Sequence, residues 1–374
     1  MRVAVIHPWL PQYRLAFFRE LIARGTRRGI EINVFYGETP PEWRNRDDTR
    51  SMEGFTSLKT RFVSMPGRRT LNRKSLRPVN SSGPYDLIIV EQAVRNLETY
   101  ELLARKAPVA FWGHGRTFTK RVRPQQDRLK QWLTRRGMWF FAYTSEGAEA
   151  MEIAGMAPER MTVVQNSIDT NALLTELQGV KSQALAAFEA KYDLHGKTAL
   201  FVGGLDESKR LPFLFKAARK AGDLDPNFRL LVVGSGDDQG LAEMAAAESP
   251  NIHCLGPLFG SEKALALAAA QVIAMPGRVG LVAVDSFASV TPIVTTNWPW
   301  HSVEFAYLEA NKSAVITDDS VDAYALGLVN TLRDRDTLDI LRQGCAEAKE
   351  KYTLDAMVEN FLNGISLALT ADHK

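Results

Sequence analysis

Twice in its second half this chain runs an apolar segment into a glycine-bearing turn and on into a helical pattern. The first instance is residues 200–210, LFVGGLDESKR, and the second is residues 275–288, MPGRVGLVAVDSFA. An apolar run that breaks at glycine and resumes with helical spacing reads as strand, tight turn and helix of an open α/β sheet. Ligands of such sheets bind where strand ends meet helix N-termini, because backbone N–H groups and the helix dipole favour phosphate there. The pair therefore predicts a phosphate-bearing ligand, with Lys209 and Arg210 at the first turn to meet its charge.

The same alternation runs through the whole chain. Apolar strands are expected at 3–7, 30–36, 86–90, 109–112, 139–143 and 161–164, with helical spacing at 12–23, 97–106, 125–136 and 145–153. After a polar helical stretch at 170–192 the pattern restarts, with strands at 199–202, 229–233, 251–255, 272–275, 292–295 and 314–317. Helices close the chain at 321–332, 337–351 and 354–369. This is the pattern of doubly wound parallel sheets. At 374 residues the chain exceeds what one core usually supports, so two α/β domains are expected, 1–190 and 191–352, with the site between them. Residues 37–84 are polar, basic and proline-bearing (Pro40, Pro41, Pro66, Pro78); one strand is expected near 58–64 and loop elsewhere.

Composition excludes several classes. The 45% hydrophobic and 24% charged content is that of a globular chain, not a disordered one. Two cysteines, Cys254 and Cys345, make neither a disulfide framework nor a zinc site. The opening MRVAVIHPWLP is too short an apolar run for a signal peptide or membrane span, so a cytoplasmic location is the expectation. Net charge is only +3 but uneven. Residues 59–77 hold seven Lys or Arg and no acid, and residues 116–136 hold eight against Asp127. Such runs are solvated faces or sites for an anionic partner; neither sits in a nucleic-acid-binding module, so no nucleic acid is expected. In the second run Leu129, Trp132 and Leu133 share a helix face that cations can surround, which suits an anionic membrane surface as well as a core contact.

In the second half, Gly203-Gly204 lets the backbone turn off its strand, and Lys209-Arg210 can neutralise a departing diphosphate. Gly280-Leu281 opens a helix whose free N–H groups can take phosphate. Asp285 stands about one turn inside, placed to accept from ribose hydroxyls, and Gly234-Ser235 allows close approach of a base. No DxD-like acidic cluster sits where a metal could neutralise the diphosphate, and no metal is expected.

The ordered set VVQNSID, FVGGLDESKR, LLVVGSG, NIHCLGPL and PGRVGLVAVDSFASVTPIVTT resembles the GT-B glycosyltransferases of retaining family four, the glycosyl transferases group 1, over essentially the whole chain. The resemblance implies two Rossmann-like domains facing each other across a cleft, the C-terminal helix 353–374 rejoining the first. It implies a UDP- or GDP-sugar on the second domain, lined by Gly203, Gly204, Lys209, Arg210, Gly234, Ser235, Leu255, Gly277, Val279, Gly280, Leu281 and Asp285. It also implies retention at the anomeric carbon. Lys209 and Asp285 match the family's lysine and second glutamate. Gly204 stands where the arginine is usual, leaving Arg210 as its substitute, and Gly277 stands where the first glutamate should be. Glu304 is the candidate to supply that missing carboxylate.

In the first half His114, in FWGHGR, follows a strand between glycines that leave its imidazole accessible, able to orient a hydroxyl or take its proton. His114, Lys209 and Arg210 are the catalytic candidates. Trp9 and Tyr13 offer faces for a sugar ring, Arg14 a cation for phosphate, and Glu91 a strand-end acid; with His114 they are the acceptor candidates. The expected activity is sugar transfer to a hydroxyl of a growing, lipid-linked or free glycan. A nucleotide-sugar epimerase and a catalytically silent sugar-nucleotide binder are the alternatives.

Overall fold

The computed structural model describes residues 1–40, 51–65, 69–121 and 123–371. Pro41, Pro66, Arg68 and the last three positions of the expected 353–374 helix lie outside the described residues. The chain forms two compact units, one of residues 1–168 with 354–374 and one of residues 169–353.

The first unit is built on a seven-stranded parallel sheet. Its strands are β1 (Arg2–His7), β2 (Glu31–Tyr36), β3 (Thr56–Ser57), β6 (Leu87–Glu91), β7 (Val109–Gly113), β8 (Trp139–Ala142) and β9 (Met161–Val163), in the order β3-β2-β1-β6-β7-β8-β9. β7 is apolar along its whole length and β1 from Val3 to Ile6, because helices cover both faces. On one face Phe17 and Phe18, from the helix Leu15–Arg27, pack with Phe361 from the helix Leu354–Thr370. Phe361 in turn stacks on Phe141 of β8, ring centroids 4.6 Å apart. Burial of this aromatic cluster brings the end of the chain back to the first unit.

Between β3 and β6 lies an antiparallel hairpin, β4 (Thr60–Met65) and β5 (Arg69–Lys74), where the sequence reading expected one strand and loop. Its second strand, RTLNRK, carries a single aliphatic residue and so leaves no apolar alternation to read.

The second unit holds a six-stranded parallel sheet: β10 (Thr198–Val202), β11 (Arg229–Val233), β12 (Ile252–Gly256), β13 (Val272–Ala274), β14 (Ile293–Thr296) and β15 (Ala314–Thr317). Their order is β12-β11-β10-β13-β14-β15. The helix Leu211–Leu224 buries Leu211, Leu214, Phe215, Ala218 and Ala221, spaced at three and four residues as a core-facing stripe requires. The helix Thr170–Gln178, read from sequence as the end of the first domain, packs on the helices Gly260–Ala269 and Val282–Ser289 and belongs to the second unit. Its apolar residues find their cover there, which places the boundary at 168 rather than 190.

Candidate functional site

In the second unit three strand-end turns are bonded to one another. Leu205 N–H donates to the Ser235 carbonyl at 2.9 Å, and Gly234 N–H donates to the Gly256 carbonyl at 2.9 Å, at the end of β12 where Leu255 lies. This draws together the turns that carry Gly203, Gly204, Gly234 and Ser235. Asp206 caps the short 3-10 turn Glu207–Lys209 by accepting from Ser208 N–H at 3.0 Å, which sets the two cations at the turn's end.

The turn after β13 closes on this segment. Arg278 N–H donates to the Ser208 carbonyl at 2.8 Å, and Lys209 Nζ donates to the Arg278 carbonyl at 2.7 Å. Gly277 faces the same backbone. A Cβ there would stand 2.5 Å from the Ser208 carbonyl oxygen and 2.6 Å from the Lys209 carbonyl carbon. No glutamate fits at 277 unless that backbone moves. Arg210 holds a left-handed conformation, φ 57°, unusual for a residue with a Cβ. Its guanidinium donates to Asp319 and to the Pro276 carbonyl and lies 4.3 Å from the Phe213 ring centroid. Arg210 is thus spent largely on the protein itself, and the Lys209 ammonium is likewise bonded to the turn after β13, at the Arg278 carbonyl.

Beyond Gly277, Val279 N–H donates to His301 Nδ1 at 3.1 Å, and His301 Nε2–H donates to the Thr296 carbonyl at 3.0 Å. Stacked on Phe305 at 4.1 Å and buried, His301 has its pKa pushed down to about 4 by desolvation, so the ring is neutral at pH 7. That neutral state is what lets Nδ1 accept. Sequence reasoning missed His301, and nothing in its neighbours marks it as the pin of a turn 22 residues earlier in the chain, though adjacent in space.

The helix Val282–Ser289 opens with Ala283 N–H bonded to Gly280 and Val284 N–H to Leu281, which leaves the N–H groups of residues 280–282 ahead of its ladder. Glu304 is buried, and its Oε2 lies 3.8 Å from the position a Cβ would take at Gly280. The structure thus brings Glu304 to the same helix start. Asp285 is not an open ribose-facing acid alone; Lys263 Nζ donates to its Oδ2 at 2.7 Å, a pairing the sequence gave no sign of.

In the first unit the strand ends of β1, β6, β7 and β8 gather the remaining candidates. His114 is exposed, yet its ring lies 4.6 Å from that of Tyr143 and is crowded by protein. Desolvation by that crowding, then the Lys130 ammonium, lowers its pKa, so the imidazole is neutral at pH 7. The loop that carries it is held tightly. Gly115 N–H donates to Gln92 Oε1 at 2.8 Å, Lys130 Nζ to the Arg116 carbonyl at 3.0 Å, and Thr117 Oγ1 to Asp127 at 2.8 Å. Gly115, φ 76°, packs so closely on Gly147 that a Cβ would meet its carbonyl oxygen at 2.1 Å.

Glu91 accepts from Asn96 Nδ2 at 3.0 Å; burial raises its pKa, but Arg95, Lys74 and Asn96 outweigh that and hold the carboxyl below its usual range. Tyr13 is exposed and Trp9 half-buried, with the Trp9 carbonyl accepting from His7 Nδ1. Arg14 departs from its expected role. Its side chain is only 2% exposed, donates to Asn166 Oδ1 at 2.6 Å, and lies over Tyr13 and Trp112. It ties the first loop to the end of β9 rather than presenting a cation at the surface.

Two family models match the chain, one in each half. Residues 16–172 match the model of Glycosyltransferase Family 4, and residues 196–334 match that of Glycosyl transferases group 1. A phosphatidyl-myo-inositol mannosyltransferase of Mycobacterium leprae is 32% identical over 204 residues, 52% of this chain and 53% of that protein. The chain spans about half the length of the curated relatives it matches. Among solved structures, Anabaena Alr3699/HepE in complex with UDP superposes with a TM-score of 0.69 at 14% identity, covering 98% of this chain and 100% of that one. Sucrose-phosphate synthase of Thermosynechococcus elongatus gives 0.66 at 15%, covering 96% and 97%. The two parallel-sheet units are those of the GT-B fold.

Proposed function

We propose that this chain, a GT-B protein whose halves match the family 4 and group 1 glycosyltransferase models, transfers a hexose from a nucleotide diphospho-sugar to a hydroxyl of a lipid-linked or free glycan. The observation that carries this reading is the bonded pair of turns at 208–210 and 276–280. It sets Lys209, the N–H groups of residues 280–282 and the Glu304 carboxylate around one helix start. Such a site suits a leaving diphosphate flanked by a sugar.

In this reading Lys209 neutralises the leaving group, with Arg210 fixing the turn and adding its field, and no metal is required. Asp285, oriented by Lys263, accepts from the ribose, and Gly234, Ser235 and Leu255 approach the base, uracil or guanine. Glu304 stands toward the donor sugar in place of the carboxylate absent at 277. On the first unit neutral His114 orients the attacking hydroxyl, with Tyr13, Trp9 and Glu91 around it, and the transfer keeps anomeric configuration. A lipid-linked acceptor accords with the mannosyltransferase relatives.

The helix Pro124–Thr134 supports a place at an anionic membrane surface. Leu133 is buried in the core, but Leu129 and Trp132 are 48% and 42% exposed, and Arg136 lies over the Trp132 ring at 4.6 Å. Among the described residues no helix is long and apolar enough to cross a membrane.

Free nucleotide released from a UDP- or GDP-sugar only when an acceptor is added tests the reaction. Release without acceptor, or epimerised donor, contradicts it. The backbone that excludes a carboxylate from 277 favours one other reading, a sugar-nucleotide binder without turnover. Donor binding with no transfer across a panel of lipid-linked acceptors selects that reading.

A further inference from the structure

The basic run 59–77 holds none of the donor or acceptor candidates, although the Lys74 ammonium acts on Glu91 through its charge, and the hairpin it forms sorts its residues by face. The register pairs Thr60 with Lys74, Phe62 with Asn72, and Ser64 with Thr70; it pairs Arg61 with Arg73, Val63 with Leu71, and Met65 with Arg69. Side chains alternate across a strand, so these are two opposite faces. The first face is seated on the unit at its base, while Ser64 nearer the tip is exposed. Lys74 and Glu98 form an ion pair at 2.8 Å with both side chains 2% exposed, and Thr60 and Asn72 are buried beside it. The second face looks to solvent. Val63 is 38% exposed and Met65 45%, Arg61 is exposed, and Arg73 is 61% exposed while reaching Glu101 at 2.9 Å. Aliphatic side chains thus stand in water with arginines at their margin, and the sequence 59–77 contains no acid.

We propose that this hairpin face docks onto an anionic phospholipid bilayer, with Val63 and Met65 entering the headgroup–acyl boundary and Arg61 and Arg73 meeting phosphates. A bilayer satisfies both halves of the face, because arginine stems can lie along apolar surface while their heads stay among phosphates. Each cation near an anionic leaflet adds to the attraction. A soluble polyanion would satisfy the arginines and leave Val63 and Met65 in water. The buried Lys74–Glu98 pair ties the base of the hairpin to the helix Leu97–Ala104. The inference is independent of the donor reading, since it concerns a surface that carries none of the donor residues.

The test is flotation of the full chain with phosphatidylglycerol–phosphatidylcholine vesicles against phosphatidylcholine vesicles, without nucleotide or acceptor. Wild type binds the anionic vesicles, and Val63→Ser with Met65→Ser lowers the partition coefficient about tenfold, in line with the loss of buried aliphatic groups. Thermal stability and the thermal shift given by UDP or GDP stay unchanged, which separates this outcome from failure of the donor site. A polarity-sensitive dye on Met65→Cys, in a Cys254→Ser background, shifts to the blue on anionic vesicles. Equal binding by the double variant, aqueous dye emission on vesicle-bound protein, or no binding by wild type overturns the proposal. So does retention on dextran sulfate that Arg61→Gln abolishes while the double variant keeps its vesicle binding.

Discussion

A Cβ at position 277 would stand 2.6 Å from the carbonyl carbon of Lys209. The glycine and the lysine are therefore one device: the close approach that excludes a side chain at 277 also lets Lys209 Nζ reach the Arg278 carbonyl at 2.7 Å. In the proposed reading, a glycine at this point brings the lysine that meets the diphosphate against the second turn.

It follows that a side chain at 277 does harm. Gly277→Ala is expected to destabilise the second unit by about 1–3 kcal/mol through overpacking, and Gly277→Glu by at least as much. Urea denaturation measures this. A Gly277→Ala chain as stable as wild type would show that the 208–209 backbone yields easily.

His301 links acidity to the same turn. Its pKa is lowered from 6.5 to about 4, chiefly by desolvation. The unfolded chain therefore binds the proton first, so this contribution is complete above pH 6.5 and is lost as pH falls toward 4. The amount is roughly 3 kcal/mol. Protonation at Nδ1 also breaks the bond from Val279 N–H, so nucleotide affinity should decline as the folded ring titrates near pH 4. An NMR titration in which the His301 ring titrates near 6.5 would contradict this.

Asp285 and Lys263 should separate when nucleotide binding is measured. Asp285→Ala removes the ribose acceptor and leaves Lys263 unpaired, and is expected to weaken UDP or GDP binding by about tenfold or more. Lys263→Ala leaves the carboxylate in place and should cost less. Calorimetric titration gives both numbers, and the reverse order would assign Lys263, not Asp285, to the nucleotide.

On the first unit, Leu129→Ser with Trp132→Ser should reduce binding to anionic vesicles with little effect on thermal stability, because the two residues are 48% and 42% exposed. Neutralising Arg128, Arg135 and Arg136 should do the same. Lys130 is left out, because its ammonium holds the Arg116 carbonyl and its removal would loosen the His114 loop. Unchanged sedimentation with vesicles would remove this helix from the membrane account.

The alternation of apolar runs and helical spacing made both sheets legible, since parallel strands covered on both faces read as continuous apolar segments. Lys209, Gly277 and Glu304 were legible as positions, and the structure draws the three to one helix start. What escaped was whatever depends on a partner distant in sequence. The strand β5 carries too few apolar residues to declare itself, and Arg14 reads as a surface cation until Asn166 and Trp112 close over it. Lys263 and His301 have ordinary neighbours and acquire roles only through Asp285 and Val279. The helix Thr170–Gln178 was assigned to the wrong unit because amphipathic spacing shows that a face is buried, not against what.

The central claim is that the bonded turns of the second unit grip the diphosphate of a sugar nucleotide through Lys209. Calorimetric titration of UDP and of GDP into wild type and Lys209→Ala tests it most directly. The account predicts that wild type binds at least one of the two, and that the variant, folded to the same melting temperature, binds it about tenfold or more weakly. Equal affinity in the two proteins, or no binding of either nucleotide to wild type, would contradict it.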